Sequence, residues 1–135
     1  LEKRAESLGV QDRVIFLGHR NDIREILSVS DISLSLTEKP EAFGRVIVES
    51  LSLGTPVVAY DHGGAAEQLE VMLPSGRVPV GDLQGATQTV ADFLRTPPTI
   101  ATEHPFTLDQ MQRSTLRVYE ELLSQTHIQE PPGLT

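Results

Sequence analysis

The sequence has no cysteine and no tryptophan, and aromatic residues make up only 4% of it. Without cysteine there are no disulfides, no thiolate metal sites and no cysteine nucleophile. That absence fits the reducing cytoplasm. Positive charge is also scarce: 11 Lys and Arg stand against 19 Asp and Glu, a net charge of -8. A chain of that sign repels nucleic-acid backbones, which are bound through clustered Lys and Arg, so no nucleic-acid partner is expected. A local basic pocket for one small phosphate stays compatible with it. No apolar run approaches the roughly 20 residues of a membrane span, and no signal peptide is visible. The histidines, His19, His62, His104 and His127, are scattered at no metal-ligand spacing, so no metal is expected. His19 and His62 do fall in predicted strand-end loops, where His62 reads either as a phosphate neighbour or as an exposed turn residue.

What is present describes one domain. The chain has 135 residues, 39% apolar and 22% charged, and a domain of that size buries about two-thirds of its unfolded surface. It begins at Leu1, without Met and inside a helical pattern, as a cut or processed piece would. Residues 1–9 read as the end of a helix, with Leu1, Ala5 and Leu8 on one face and Gly9 as the stop. Residues 13–18, "RVIFLG", read as a buried strand, and residues 21–30 as a helix capped by Asn21 or Asp22. Residues 31–36 alternate as a strand does. Residues 37–44 are a loop, because Pro40 disfavours helix at Lys39. A helix follows over 43–53 and ends at Gly54. Then come a strand (55–60), a tight turn (61–64), a short helix (64–70) and a weak strand (76–80) whose Pro79 suits only an edge. Two more helices close the chain, 82–96 capped by Asp82 and 107–125 capped by Thr107. Residues 1–125 thus form one domain and 126–135 a loose tail. Strands alternating with helices predict an α/β fold, Rossmann-like and three-layered, with a mostly parallel sheet.

In open parallel sheets ligands bind at the carboxyl ends of strands. Three loops leave such ends: residues 18–21, 37–44 and 61–64. The stretch "EAFGRVIVESLSLG" (41–54) puts Glu41 just before a helix and Glu49 inside it. The free N–H groups of Ala42, Phe43 and Gly44 can point at an anion, and Gly44 allows close approach. Glu49 shares the polar edge of an otherwise apolar helix with Arg45 and Ser52, where it can accept hydrogen bonds from vicinal hydroxyls such as those of a ribose. The same spacing fits an ordinary solvated pair of Arg45 and Glu49, and spacing alone does not choose.

The longer run "EAFGRVIVESLSLGTPVVAYDHGGAAE" resembles the signature of the retaining glycosyltransferases of family 4, which have the GT-B fold. The matching positions are Glu41, Glu49, Gly54, Pro56, Val57, Val58, Ala59, Gly63, Gly64 and Glu67. The likeness extends over about residues 1–124. It implies a nucleotide diphosphate sugar as donor, with no cofactor and no obligatory metal. Glu41 would face the donor sugar as the catalytic carboxylate. The backbone of Ala42, Phe43 and Gly44 would hold sugar and pyrophosphate, with Arg45 beside them. Glu49 would take the ribose hydroxyls, and Gly18, His19 and Arg20 would lie against the base.

The resemblance also implies that the chain is the second half of a GT-B fold lacking its first strand. That strand and a basic Arg/Lys pair would precede Leu1, and the acceptor site would belong to a missing N-terminal domain. The polypeptide alone would then not transfer sugar, and an exposed sheet edge would favour self-association. The full-length enzyme would be cytoplasmic, with room for peripheral attachment to the membrane. The chain departs from the family pattern at "LTEKPE", where Lys39 can supply positive charge, at Arg45, at Ser50 in place of alanine, and in the loop "MLPSGRVPVGD". A stand-alone nucleotide-binding module without catalysis is the alternative. A nucleotide-sugar epimerase of the same fold, or a truncated product without function, are further ones.

Overall fold

Successive side chains of a strand point to opposite faces of its sheet, so a strand buried throughout must be covered on both. Val57–Tyr60 (β2) is such a strand, with every residue at 3% exposure or less. It lies at the centre of a parallel sheet of order β1-β2-β3, between Ser33–Ser35 (β1) and Arg77–Val78 (β3). Ser33 aligns with Val57 and Ser35 with Ala59 on one side, and Ala59 aligns with Arg77 on the other. The computed structural model describes residues 1–101 and 103–126. Its helices are Glu2–Ser7 (α1), Ile23–Ser28 (α2), Arg45–Ser52 (α3), Gly63–Met72 (α4), Leu83–Arg95 (α5) and Leu108–Thr126 (α6), with short 3-10 turns at Gln11–Arg13 and Pro74–Gly76. The α/β class and the parallel sheet agree with the sequence pattern.

The core forms where helices meet β2. Ile47 and Leu51 of α3, Leu69 and Met72 of α4, and Ala86 and Phe93 of α5 pack with Val57, Val58 and Val78. The buried threonine and serine hydroxyls there are satisfied. Thr55 Oγ1 donates to the Leu27 carbonyl at 2.6 Å, and Ser50 Oγ to the Val46 carbonyl at 2.8 Å. Ser50 therefore brings no orphaned polar group into the core.

Several elements differ from expectation. Residues 13–18 form no strand: Gln11–Arg13 is a 3-10 turn, and Val14, Ile15, Phe16 and Leu17 are 40%, 83%, 46% and 51% exposed. An apolar run becomes a strand only beside another strand that takes its hydrogen bonds. Among the described residues none pairs with it. One edge of β1 is likewise open, with Leu34 55% exposed. Helix α1 buries only Ala5, leaving Leu1 and Leu8 in solvent, because two turns present too little surface to cover all three. Helix α3 starts at Arg45, two residues later than expected, because Gly44 before it has φ +73° and cannot be part of a right-handed helix. Helix α6 runs to Thr126 and so takes in the first residue of the tail expected at 126–135; residues 127–135 lie outside the described residues. No helix among the described residues is long and apolar enough to cross a membrane.

The turn into β3 depends on Gly76, which is buried against the Val57 carbonyl so closely that an added Cβ would overlap that oxygen. Gly76→Ala should lower stability by about 1–3 kcal/mol, as overpacked sites do. Urea unfolding should show a lower midpoint at unchanged slope, and an unchanged midpoint would contradict this packing.

Candidate functional site

The loop 37–44 ends against the first turn of α4, which holds it by its carbonyls. Gly64 N–H donates to the Glu41 carbonyl at 2.9 Å, and Gln68 Nε2 donates to the Phe43 carbonyl. His62 Nε2 lies 2.9 Å from the Thr37 carbonyl, which can only accept, so that nitrogen carries the proton. The approach is close enough to exclude side chains from α4. A Cβ at Gly63 would sit 2.6 Å from the Glu41 carbonyl oxygen, and one at Gly64 would overlap the Phe43 carbonyl. His62 is half-buried, with its ring edge-on to Tyr60 at 6.4 Å. It braces the loop, and is neither an exposed turn residue nor free to reach a ligand through Nε2.

The loop places Glu41 at a narrow notch also lined by Thr37, Gly44, Ile47 and His62. Gly44 follows in the left-handed conformation, and among the described residues no side chain caps α3. One turn further on, Glu49 pairs with Arg45 at 3.0 Å, the two side chains 41% and 82% exposed. A pair that exposed contributes about 0.3–0.5 kcal/mol, so ligand hydroxyls can displace the guanidinium cheaply. Glu49 opens onto a cavity of about 500 Å³ lined also by Arg24, Val48, Ser52, His104 and Phe106. A second groove continues past Phe43, Arg45 and Glu49 to Leu108 and Met111 of α6. The notch at Glu41 and these grooves share no lining residue. The two carboxylates therefore stand on different sides of the α3 start, and a ligand touching both must cross it.

The segment before α6 closes the groove. Phe106 meets Phe43 edge-on at 6.1 Å and stacks on His104 at 5.9 Å. The Phe106 N–H donates to His104 Nδ1 at 3.2 Å, so the imidazole proton sits on Nε2, facing Ser52 Oγ at 3.4 Å. Arg24, His104 and Phe106 are joined to the site only by the fold, and nothing in their local sequence points to it. Gln68 did carry a signal: it is a lone amide beside Leu69 and Met72 on the buried side of a helix.

Of the residues singled out in the sequence, Glu41, Ala42, Phe43, Gly44, Arg45 and Glu49 gather around the α3 start. Gly18, His19 and Arg20 are exposed and line neither the notch nor the grooves. Arg20 Nε donates to Asp22 Oδ1 at 2.7 Å. This bond holds the Asp22 carboxyl below its ordinary range and raises Arg20. Among the described residues no group of three or more His, Cys, Asp or Glu is placed to hold a metal ion.

Two outcomes follow from this geometry. Gly64→Ala should push the loop off α4, lower stability by about 1–3 kcal/mol and shift the amide resonances of residues 41–45; unshifted resonances would refute the close approach. Arg20→Gln should let the Asp22 carboxyl titrate higher by NMR, and an unmoved titration would show that the ion pair does not form in solution.

Comparison with known proteins adds relatives of one kind. Residues 1–77 match the family described as glycosyl transferases group 1. N-acetyl-alpha-D-glucosaminyl L-malate synthase of Bacillus anthracis is 33% identical over 90 residues, 67% of this chain and 23% of that protein. The crystal structure of a glycosyltransferase from Rickettsia africae superposes with a TM-score of 0.75 at 26% identity, covering 90% of this chain and 35% of that one. The Anabaena protein HepE, solved in complex with UDP and glucose, superposes at 0.65 with 32% identity and the same coverage. The chain thus spans between 23% and 35% of the length of these relatives.

Proposed function

The chain belongs to the group 1 glycosyltransferases, and on that premise we propose that it is the donor-binding part of a retaining GT-B enzyme that takes sugar from a nucleotide diphosphate. The observation that carries this reading is the α3 start, set between the Glu41 notch and the Glu49 groove. A nucleotide diphosphate sugar has the matching order of parts: sugar, diphosphate, ribose. The sugar lies at Glu41, whose carboxylate stabilises positive charge developing on the ring as the glycosidic bond breaks. The diphosphate lies across the uncapped N-terminus of α3, where backbone N–H groups and the helix dipole favour an anion. Glu49 accepts from the ribose hydroxyls and releases Arg45, whose guanidinium is then free to pair with phosphate.

UDP and glucose in the HepE complex support a donor of this class. Residues 18–20 enter the reading as the base side on the sequence resemblance alone. Since the chain spans about a third or less of its relatives, the acceptor and the rest of the cleft are assigned to protein outside this stretch, which by itself binds donor without transferring sugar.

Calorimetric titration with UDP, GDP and ADP tests the reading. One nucleotide should bind, and Glu49→Ala should weaken it by at least tenfold, as expected for losing hydrogen bonds to a charged group at about 1.5–3 kcal/mol. A well-folded chain that binds none of them, or a variant that binds as tightly as the parent, would remove the donor assignment.

A further inference from the structure

Gln68 is fully buried on α4, beside Leu69 and Met72. A buried amide is tolerated when both of its ends find partners. Here only one does. Nε2 donates to the Phe43 carbonyl, while Oε1, out of contact with solvent, meets no donor among the described residues. The reversed amide would set Oε1 against the Phe43 oxygen, two acceptors face to face, and is worse. An aliphatic side chain of equal volume would spare the core its unmatched acceptor. What the amide contributes must therefore lie in what it holds.

It holds a peptide unit. The C=O and the following N–H of a trans peptide lie in one plane and point in opposite directions. The Phe43 carbonyl turned inward to Gln68 therefore turns the Gly44 N–H outward. The Gly64 N–H does the same one step earlier, since gripping the Glu41 carbonyl turns the Ala42 N–H outward. Neither the Ala42 nor the Gly44 N–H donates to any other group among the described residues. We propose that Gln68 is a positioning residue that sets the Phe43–Gly44 peptide plane so that the Ala42 and Gly44 N–H groups face an anionic ligand at the α3 start. Naming that ligand as the diphosphate of a nucleotide sugar rests on the proposed function; the peptide orientation stands by itself.

The test replaces the amide with an apolar chain of similar length. In Gln68→Met the melting temperature should be equal or higher, since the orphaned oxygen is gone. The Gly44 and Ala42 amide resonances should move. The nucleotide that binds the parent chain should bind about tenfold more weakly, the scale of one hydrogen bond that orients the site. A purely structural role predicts the reverse: stability lost and nucleotide affinity kept in the folded fraction.

Gln68→Glu supplies a second measurement if the methionine variant does not fold. Its carboxyl can donate to the Phe43 carbonyl only when protonated, so the two resonances should return toward parental positions at acid pH and leave them as pH rises, with the parent chain recorded at each pH. Resonances that stay parental in either folded variant would overturn the inference. Should the parent chain bind no nucleotide, the donor reading fails while the resonances still decide the role of Gln68.

Discussion

The candidate site depends on how closely the backbone of residues 41–44 lies against the first turn of α4. That contact is made by carbonyls of the loop and by an amide and a side chain of α4, with Gly63 and Gly64 leaving space where any side chain would intrude. The consequence is directional. A loop gripped by its carbonyls presents its N–H groups on the other side, and the N-terminus of α3, which no side chain among the described residues caps, adds to the same pole. In the proposed function, a chain with net charge -8 would hold a phosphate in this way. The positive potential comes from oriented peptide dipoles that contribute no net charge, supplemented by Arg45 once its weak pair with Glu49 is given up.

Rigid and yielding parts are separated along the site. The anchoring side is core: β2 is buried on both faces, and Leu69 and Met72 of α4 pack into the same cluster as Ile47 and Leu51 of α3. Both helices that define the site thus rest on one strand, and a shift of one against the other would open that core. The ligand side is polar and solvent-facing: Glu41, Arg45 and the approach to Glu49. Among the described residues one buried side-chain oxygen is left unmatched, Gln68 Oε1, and it marks where the two meet. Such a violation inside a satisfied core is where a functional constraint is expected to show.

Much of the architecture was legible in the order of residues because it rests on local periodicity. The helices at 45–52 and 83–95 and the cap at Asp82 followed from spacings of three to four residues, and the central strand from a short apolar run. Where partners decide, reading failed. "RVIFLG" has a strand's composition, yet it stays exposed because no described strand lies beside it. His62 could not be assigned from its turn, because the Thr37 carbonyl that binds it comes from a loop 25 residues earlier in the chain.

The sequence by itself determined the α/β class, the placing of Glu41 and Glu49 at either end of the α3 start, and the resemblance to a glycosyltransferase signature. Each is written in spacing along one element or in a contiguous run. Tertiary structure alone decided that the two carboxylates open onto separate pockets, that Phe106 and His104 close the groove beside Glu49, and that Gln68 reaches the Phe43 carbonyl. The physical reason is that these are contacts between segments distant in sequence, and a hydrogen bond or a stacked ring leaves no periodic trace in either segment that forms it.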